Sequence, residues 1–181
     1  IFVPNDHYVK FEKFFIPFLE DLYNKNKVYS VSEIISLLGE KINNKNSIYY
    51  WCFKNNIPVF CPSFTDGSMG DMIYFFKYKH PDFKIDIADD IKKLNDLAIT
   101  ADKSGIIVLG SGPIKHHICN ANMFRNGADY AVYVNNSQEF DGSDSGARPE
   151  EAVSWGKILP EAKHVKVFGD ATILFPLIVA K

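Results

Sequence analysis

Hydrophobic positions in the first third of the chain follow a helical period. The segment FEKFFIPFLEDLY places an apolar stripe on one helical face, which we expect to be buried, although Pro17 interrupts the hydrogen bonding of that helix. In the next segment, SVSEIISLLGEKI, Ser30 stands three residues before Glu33, a spacing that predicts a capping box. A third helix is predicted over residues 47–54, ahead of Pro58.

Beyond residue 58 the pattern alternates between short apolar runs and helical segments. Strands are predicted at 59–61, 106–109, 130–134 and 165–168, each followed by a polar loop and a helix. This alternation is typical of a parallel α/β sheet with helices on both faces. Because ligands bind such sheets beyond the carboxyl ends of the strands, we expect the polar, glycine-bearing loops to form one candidate site.

Composition limits the class of protein further. The chain has 181 residues, 46% of them hydrophobic, which suits one globular domain over residues 1–181. A formal net charge of −2 argues against a nucleic-acid or membrane partner, and no apolar run approaches the ~20 residues that span a bilayer. Three cysteines without a CxxC pair favour a reducing, cytoplasmic compartment, and the first residues do not form a signal-peptide pattern.

Two loop signals are weak by themselves. Gly110 and Gly112 stand between a strand and a helix, where backbone can approach a pyrophosphate, but Lys115 replaces the third glycine of a dinucleotide fingerprint. The adjacent His116 and His117 lack the i,i+4 spacing of a helical metal-binding pair, so we predict no metal site. One of them can still serve as a neutral hydrogen-bonding or proton-transfer group.

The stretch EFDGSDSGARPEEAVSWGKI carries the strongest signal. Its five carboxylates precede Trp155 and Lys157. Carboxylates and an indole face together can bind an alkylammonium chain, through charge pairing and cation–π attraction. A desolvated lysine has a lowered pKa and can attack carbonyls or imines. At this point a solvated acidic loop without a ligand is the alternative interpretation of the stretch. For the aspartates of TDGSMGD and FGDAT, the alternative to ligand binding is that they cap the following helices.

Several stretches together resemble deoxyhypusine synthase: TDGSMGD, KHHICNAN, NGADYAVYVN, QEFDGSDSGARPEEAVSWGKI and the closing DAT. The resemblance covers essentially the whole chain. It implies a Rossmann-like, mostly parallel sheet that is incomplete here at its N-terminal side, because family members carry a further N-terminal half. The implied enzyme is a cytoplasmic homotetramer with active sites between subunits.

The resemblance also implies a reaction. Such an enzyme uses NAD to oxidise spermidine, and 1,3-diaminopropane leaves. The remaining aminobutyl group passes through an imine on an enzyme lysine to one lysine of the translation initiation factor 5A precursor. Reduction by the retained NADH then forms deoxyhypusine.

Site residues follow from the same resemblance. Lys157 matches the imine-forming lysine, and His116 matches the histidine between polyamine and nicotinamide. Residues that match the polyamine pocket are Asp71, Asn120, Tyr133, Gly142, Asp144, Glu151 and Trp155. Residues that match NAD contacts are Asp66, Gly110, Gly112, Asp141, Ser145, Asp170 and Ala171. Ser111 and Asn136 occupy two further cofactor positions, where the family often has glycine and threonine.

Two other functions stay open at this point. Homospermidine synthase is a relative that hands the same aminobutyl group to putrescine, and it can share these site residues. A non-catalytic regulatory subunit of a synthase assembly could dispense with the nucleophile, whereas Lys157 and its surroundings are intact.

Overall fold

The computed structural model of the protein describes residues 2–181, except for the side chain of Asp141. The chain divides into two compact units, with the division between residues 90 and 91. Its organisation as a single domain over 1–181 stays a prediction. Among residues 2–181, no helix combines the length and the apolar character that a membrane crossing requires.

The first unit is mainly helical. Its elements are α1 (Asn5–Tyr23), β1 (Tyr29–Ser30), α2 (Val31–Ile42), α3 (Ile48–Lys54), α4 (Ser68–Lys79) and β2 (Ile85–Asp86), and β1 pairs in parallel with β2. The prediction that the apolar stripe of α1 is buried is confirmed, because its core side chains are Phe15, Phe18, Leu19 and Leu22. These side chains form a core with residues from α2 and α4.

Local hydrogen bonds explain where α2 begins. Ser30 Oγ accepts a hydrogen bond from Glu33 N at 3.4 Å, and the Glu33 carboxylate accepts one from Ser30 N at 3.0 Å, which confirms the predicted capping box. The buried carboxylate of Asp90 accepts hydrogen bonds from Ser32 N at 2.8 Å and Ser32 Oγ at 2.6 Å. These bonds attach the first turn of α5 (Ala88–Thr100) to that of α2.

The strand predicted at 59–61 is wrong. This segment has no regular secondary structure and lies between Pro58 and Pro62. Neither proline can donate a main-chain hydrogen bond to a ladder, so only three residues between them could pair. The loop that carries Asp66 and Asp71 therefore follows an irregular segment and not a strand.

The second unit is built on a three-stranded parallel sheet in the order β3–β4–β5. The strands are β3 (Gly105–Leu109), β4 (Ala128–Asn135) and β5 (Ile158–Phe168), and the helices are α6 (Pro113–Met123), α7 (Pro149–Ser154) and α8 (Ala171–Ala180). The three strands predicted in this region are confirmed, although β5 begins earlier than expected. The α/β class with parallel sheets is therefore confirmed.

Burial along β3 alternates with the pleat. Ile106 and Val108 are buried in a core that includes Cys119 of α6, whereas Ile107 is 61% exposed and Leu109 is 45% exposed. Within the described residues, the core of this unit therefore covers one face of β3 and leaves apolar side chains on the other.

The turn from α6 to β4 generates a stability prediction. Gly127 has φ 117°, and a Cβ atom there would lie 2.7 Å from Leu159 N. We predict that Gly127→Ala lowers the free energy of unfolding by about 1–3 kcal/mol, because it adds backbone strain and a main-chain clash. Urea unfolding of the full-length protein measures this change. Gly105→Ala is the matched control, since its Cβ would meet only Tyr130 Cβ at 3.6 Å. Equal effects of the two substitutions would contradict the prediction.

Candidate functional site

Parallel pairing brings three loops to one edge of the second sheet. The main-chain N–H groups of Gly110 and Gly169 each donate to a carbonyl of β4 at 2.9 Å, so the ladder continues one residue beyond β3 and β5. The loops that follow β3, β4 and β5 therefore start side by side. Ser137 Oγ donates to Ser111 Oγ at 3.1 Å, which links two of these loops directly. The predicted cofactor residues at this edge are Gly110, Ser111, Gly112, Asn136, Asp170 and Ala171.

The turn between β3 and α6 leaves its backbone open. Gly110 and Gly112 have φ of 90° and 81°, and a Cβ atom at either would meet no atom within 4 Å. Pro113 occupies the first turn of α6, where a missing N–H costs nothing. The turn therefore presents main-chain atoms and a helix N-terminus to open space, an arrangement that favours a phosphate group. At the next loop, Asp170 caps α8 by accepting from Thr172 N at 2.8 Å.

Asn135 is a residue of this edge that the sequence analysis missed. It ends β4, is 2% exposed, and accepts a hydrogen bond on Oδ1 from Ser137 N at 3.2 Å. Among the residues that the structure describes, its Nδ2 atom has no hydrogen-bond partner. Buried donors of this kind normally find a partner, so the edge fits a polar ligand that can accept one more hydrogen bond. A polar residue at the end of an apolar strand was the only sequence signal.

The face of α6 that packs on the sheet holds a buried polar cluster. Tyr133 is fully buried, and its Oη atom is hydrogen-bonded to Cys119 Sγ at 3.2 Å. Burial raises the pKa of Tyr133 well above its ordinary value, and the hydrogen bond to Cys119 raises it further. Burial also raises the pKa of the Cys119 thiol, while the hydrogen bond with Tyr133 and the charges of Lys115 and Lys157 oppose that rise. Cys119 and Lys115 were not among the predicted site residues.

The acidic loop after β4 is tethered to its surroundings. It begins with a 3-10 turn at Glu139–Asp141. The carboxylate of Glu139 lies 2.5 Å from Arg148 Nε and 3.3 Å from Lys166 Nζ. The hydrogen bond from Arg148, supported by that from Lys166, holds the pKa of Glu139 below its ordinary value. Lys166 Nζ also donates to the Gly146 carbonyl at 2.6 Å. A freely solvated loop therefore does not describe this segment.

The predicted ligand residues of the loop differ in their surroundings. Asp144 is half-buried, and its Oδ1 atom lies 4.0 Å from Lys115 Nζ. Ser145 is half-buried, and Gly142 is exposed with φ 72°. The side chain of Asp141, a predicted NAD contact, lies outside the described part of the structure.

Lys157 follows α7 and has a buried side chain, 7% exposed. Its N–H donates to the Ala152 carbonyl at 2.9 Å, and its own carbonyl accepts from Ala128 N at 3.0 Å. The main chain of Lys157 thus lies where β4 begins, at the opposite end of the sheet from the glycine turn. Lys157 Nζ is 6.0 Å from the ring centroid of Trp155, whose side chain is 63% exposed. Glu151, half-buried on α7, adds to the charges that raise the pKa of the buried tyrosine.

Helix α6 runs between the two ends of the sheet, from the glycine turn towards the end where Lys157 lies. His116 and Asn120 are four residues apart and share one face, on which His116 is exposed and Asn120 is half-buried. The neighbouring face carries the buried Lys115 and Cys119, and the charge of Lys157 acts on the latter. The candidate site of the second unit therefore extends along α6, from the glycine turn towards Lys157.

Two predicted site residues belong to the first unit. Asp66 precedes Gly67, which has φ 105° and directly precedes α4. Asp71 lies in the first turn of α4, where its N–H donates to the Gly67 carbonyl at 3.1 Å. Both aspartates are exposed.

A parallel sheet with a glycine turn and a helix N-terminus at its carboxyl edge defines a Rossmann-like α/β protein, here incomplete. The family model of deoxyhypusine synthase matches residues 1–181. The chain is 57% identical to the deoxyhypusine synthase of Senecio vernalis and 54% identical to that of Arabidopsis thaliana, each over 187 residues and 100% of this chain. The chain belongs to the deoxyhypusine synthase family.

The match covers only part of each relative. The alignments span 50% of the Senecio vernalis protein and 51% of the Arabidopsis thaliana protein. A crystal structure described as a deoxyhypusine synthase from Entamoeba histolytica matches with a TM-score of 0.77 and 31% identity, over 98% of this chain and 56% of that one. The chain thus spans about half the length of the curated relatives it matches.

The surroundings of Cys119 generate a reactivity prediction. Cys119 is 2% exposed and the pKa of its thiol is raised, whereas Cys52 and Cys61 are only half-buried. Because the thiolate is the reactive form, we expect iodoacetamide at pH 8 to modify Cys119 at least about tenfold more slowly than the other two. Peptide mass spectrometry of the native full-length protein measures the three rates, with denatured protein as the control. A native rate for Cys119 equal to that of Cys52 would contradict this expectation.

Proposed function

We propose that the full-length protein transfers the aminobutyl group of spermidine to one lysine of the translation initiation factor 5A precursor, in an NAD-dependent reaction that forms deoxyhypusine. Membership of the family supports this proposal. The observation in the site that supports it most is the buried Lys157, with the exposed indole of Trp155 beside its ammonium group. Because the chain spans about half of its relatives, the proposal concerns the full-length polypeptide.

Lys157 is the group that carries the aminobutyl fragment. Its unprotonated amine adds to the imine carbon of oxidised spermidine, the C–N bond to 1,3-diaminopropane breaks, and the departing amine takes the proton. The lysine of the protein substrate then adds to the same carbon and displaces Lys157 in the same way. Burial of Lys157 supports this role, because exclusion of water protects an imine from hydrolysis.

Acidic side chains and the indole bind the polyamine. Asp144 and Glu151 supply negative charge, and the exposed ring of Trp155 attracts an alkylammonium group. Both carboxylates contribute to the raised pKa of Tyr133, so they lie within electrostatic reach of one buried group. The same proposal includes Asn120, Tyr133 and Gly142 as lining residues and Asp71 in the first unit.

The edge of the second sheet holds the dinucleotide. NAD, when bound, supplies the hydride acceptor for spermidine oxidation and the donor for the final reduction. Three features fit such a group: the open glycine turn, the N-terminus of α6, and the Asn135 Nδ2 atom, for which no described residue provides an acceptor. The contacts we propose are Gly110, Ser111, Gly112, Asn136, Ser145, Asp170 and Ala171, with Asp66 and Asp141 in addition. His116, exposed on α6, is proposed to hydrogen-bond or exchange a proton between polyamine and nicotinamide.

The assay that tests this function uses the full-length protein with spermidine, NAD and one of two acceptors. Label from the butyl carbons of spermidine is expected on the factor 5A precursor. Label on putrescine alone would identify a homospermidine synthase, and label on neither acceptor would identify a non-catalytic subunit. Light scattering of the same preparation tests the proposed homotetramer, and cell fractionation tests the proposed cytoplasmic location.

The role of Lys157 is tested by Lys157→Arg. Arginine keeps the positive charge but stays protonated and cannot form the imine, so transfer to the protein substrate is expected to disappear. Release of 1,3-diaminopropane can persist at a low rate, because oxidation of spermidine does not require Lys157 and water can add to the resulting imine in its place. Lys163→Arg is the matched control at an exposed position of β5 and should transfer normally. Transfer by Lys157→Arg at the wild-type rate would refute the assignment.

The role of Trp155 is tested by Trp155→Leu. Loss of an indole face beside a polyamine cation should weaken spermidine binding by about 0.5–2 kcal/mol and leave NAD binding less affected. Calorimetry with each ligand measures both effects. The chain's other tryptophan, Trp51, lies in the first unit and is 49% exposed, so Trp51→Leu is the control and should change neither affinity. An equal or larger loss of NAD affinity for Trp155→Leu would contradict the placement.

A further inference from the structure

Lys115 is a buried cation that the proposed reaction does not use. Its side chain is 2% exposed, and its Nζ atom lies 5.1 Å from the ring centroid of Tyr133. Nζ donates to the main-chain carbonyl of Asp144 and, at 3.3 Å, to that of Ala147. One lysine of α6 therefore binds two carbonyl groups of the acidic loop.

Lys166 binds the same loop from β5. Its side chain is 6% exposed, and its Nζ atom donates to the Gly146 carbonyl at 2.6 Å. A Cβ atom on Gly146 would lie 1.8 Å from the Gln138 carbonyl oxygen, so the loop also packs tightly against its own beginning. Three carbonyl groups between residues 144 and 147 thus accept hydrogen bonds from two buried lysines.

The choice of acceptor matters for the chemistry of the loop. A buried ammonium group is costly unless it is hydrogen-bonded, and in an acidic loop the nearest acceptors could have been carboxylates. Lys115 Nζ instead donates to main-chain oxygens and stays 4.0 Å from Asp144 Oδ1. The main-chain hydrogen bonds therefore hold the path of the loop, and the Asp144 carboxylate makes only a longer ion-pair contact with Lys115.

We propose that Lys115 is a positioning residue: it holds the main chain of residues 144–147 on α6 and so orients the Asp144 carboxylate towards a polyamine. This inference rests on the proposed function for the identity of the ligand. Lys166 binds the same segment from β5. Neither lysine touches the reacting atoms.

Three variants of the full-length protein distinguish the effect of the Lys115 hydrogen bonds from the effect of the Asp144 carboxylate. Lys115→Met keeps an apolar stem and removes the donor, Asp144→Asn keeps the carbonyl and removes the charge, and the third variant combines both. Lys163→Met is the control at an exposed site. Hydrogen exchange of the loop peptide and steady-state kinetics with varied spermidine are measured for each.

For Lys115→Met, we expect loop amides to exchange about tenfold faster and the spermidine KM to rise about tenfold, with kcat within about threefold of wild type. Asp144→Asn should raise the spermidine KM by a similar factor, while its loop amides exchange at the wild-type rate. Because Lys115 acts through Asp144, the double variant should have the KM of Asp144→Asn alone. The proposal would be overturned if the KM of the double variant equalled the product of the two single effects. Loop exchange at the wild-type rate in Lys115→Met, or a fall in its kcat without a change in its KM, would overturn it as well.

Lys166→Met provides an independent test if Lys115→Met does not fold. Lys166→Met should accelerate exchange at Gly146 and Ala147 and raise the spermidine KM, and wild-type values for both would overturn the proposal. Failure of the proposed function gives a different result. In that case the wild-type protein shows no spermidine-dependent turnover, and the exchange measurement alone decides whether the lysines hold the loop.

Discussion

Parallel pairing of β4 with both β3 and β5 is the constraint on which the candidate site depends. Because the three strands run in the same direction, each connection must return over the sheet, and the loops that leave the strands meet at one edge. The register then decides which side chains of β4 face α6. A slip of one residue would turn Tyr133 away from Cys119 and remove Asn135 from the edge. The ladder thus determines the chemistry along β4 as well as the fold.

Helix α6 gives the site two different environments within one turn. Lys115 and Cys119 face the sheet and are buried, whereas His116 and Asn120, one residue later in each case, lie on a more accessible face. A rotation of about 100° per residue is enough to separate groups that hold the protein together from groups that can meet a ligand. Residues 144–147 of the acidic loop are attached to Lys115 through their main chain. The Asp144 side chain can therefore take part in binding while main-chain hydrogen bonds hold this part of the loop.

The sequence allowed most of the second unit to be predicted, because the apolar runs at 106–109, 130–134 and 165–168 contain no proline and alternate with well-marked helices. The same reasoning failed at 59–61, where Pro58 and Pro62 leave too few donors for a ladder. Family resemblance predicted roles for Lys157 and Trp155, which stay predictions, whereas Lys115 stood out in the sequence only as a missing glycine. A lysine is seldom buried, and its partners here are carbonyl groups 29 and 32 residues away in the sequence. The pattern of side chains along the sequence does not predict hydrogen bonds to main-chain carbonyls that are so distant in the chain.

The Nδ2 atom of Asn135, which has no acceptor among the described residues, has a consequence for selectivity. Leaving a buried donor unsatisfied costs about 1–3 kcal/mol, and about 1.4 kcal/mol corresponds to a tenfold change in affinity. A molecule that places an acceptor near Nδ2 relieves this cost, whereas an apolar molecule of the same outline leaves the donor without a partner. The last residue of a strand can therefore discriminate between ligands of equal size, because no residue in the described part of the protein accepts a hydrogen bond from it.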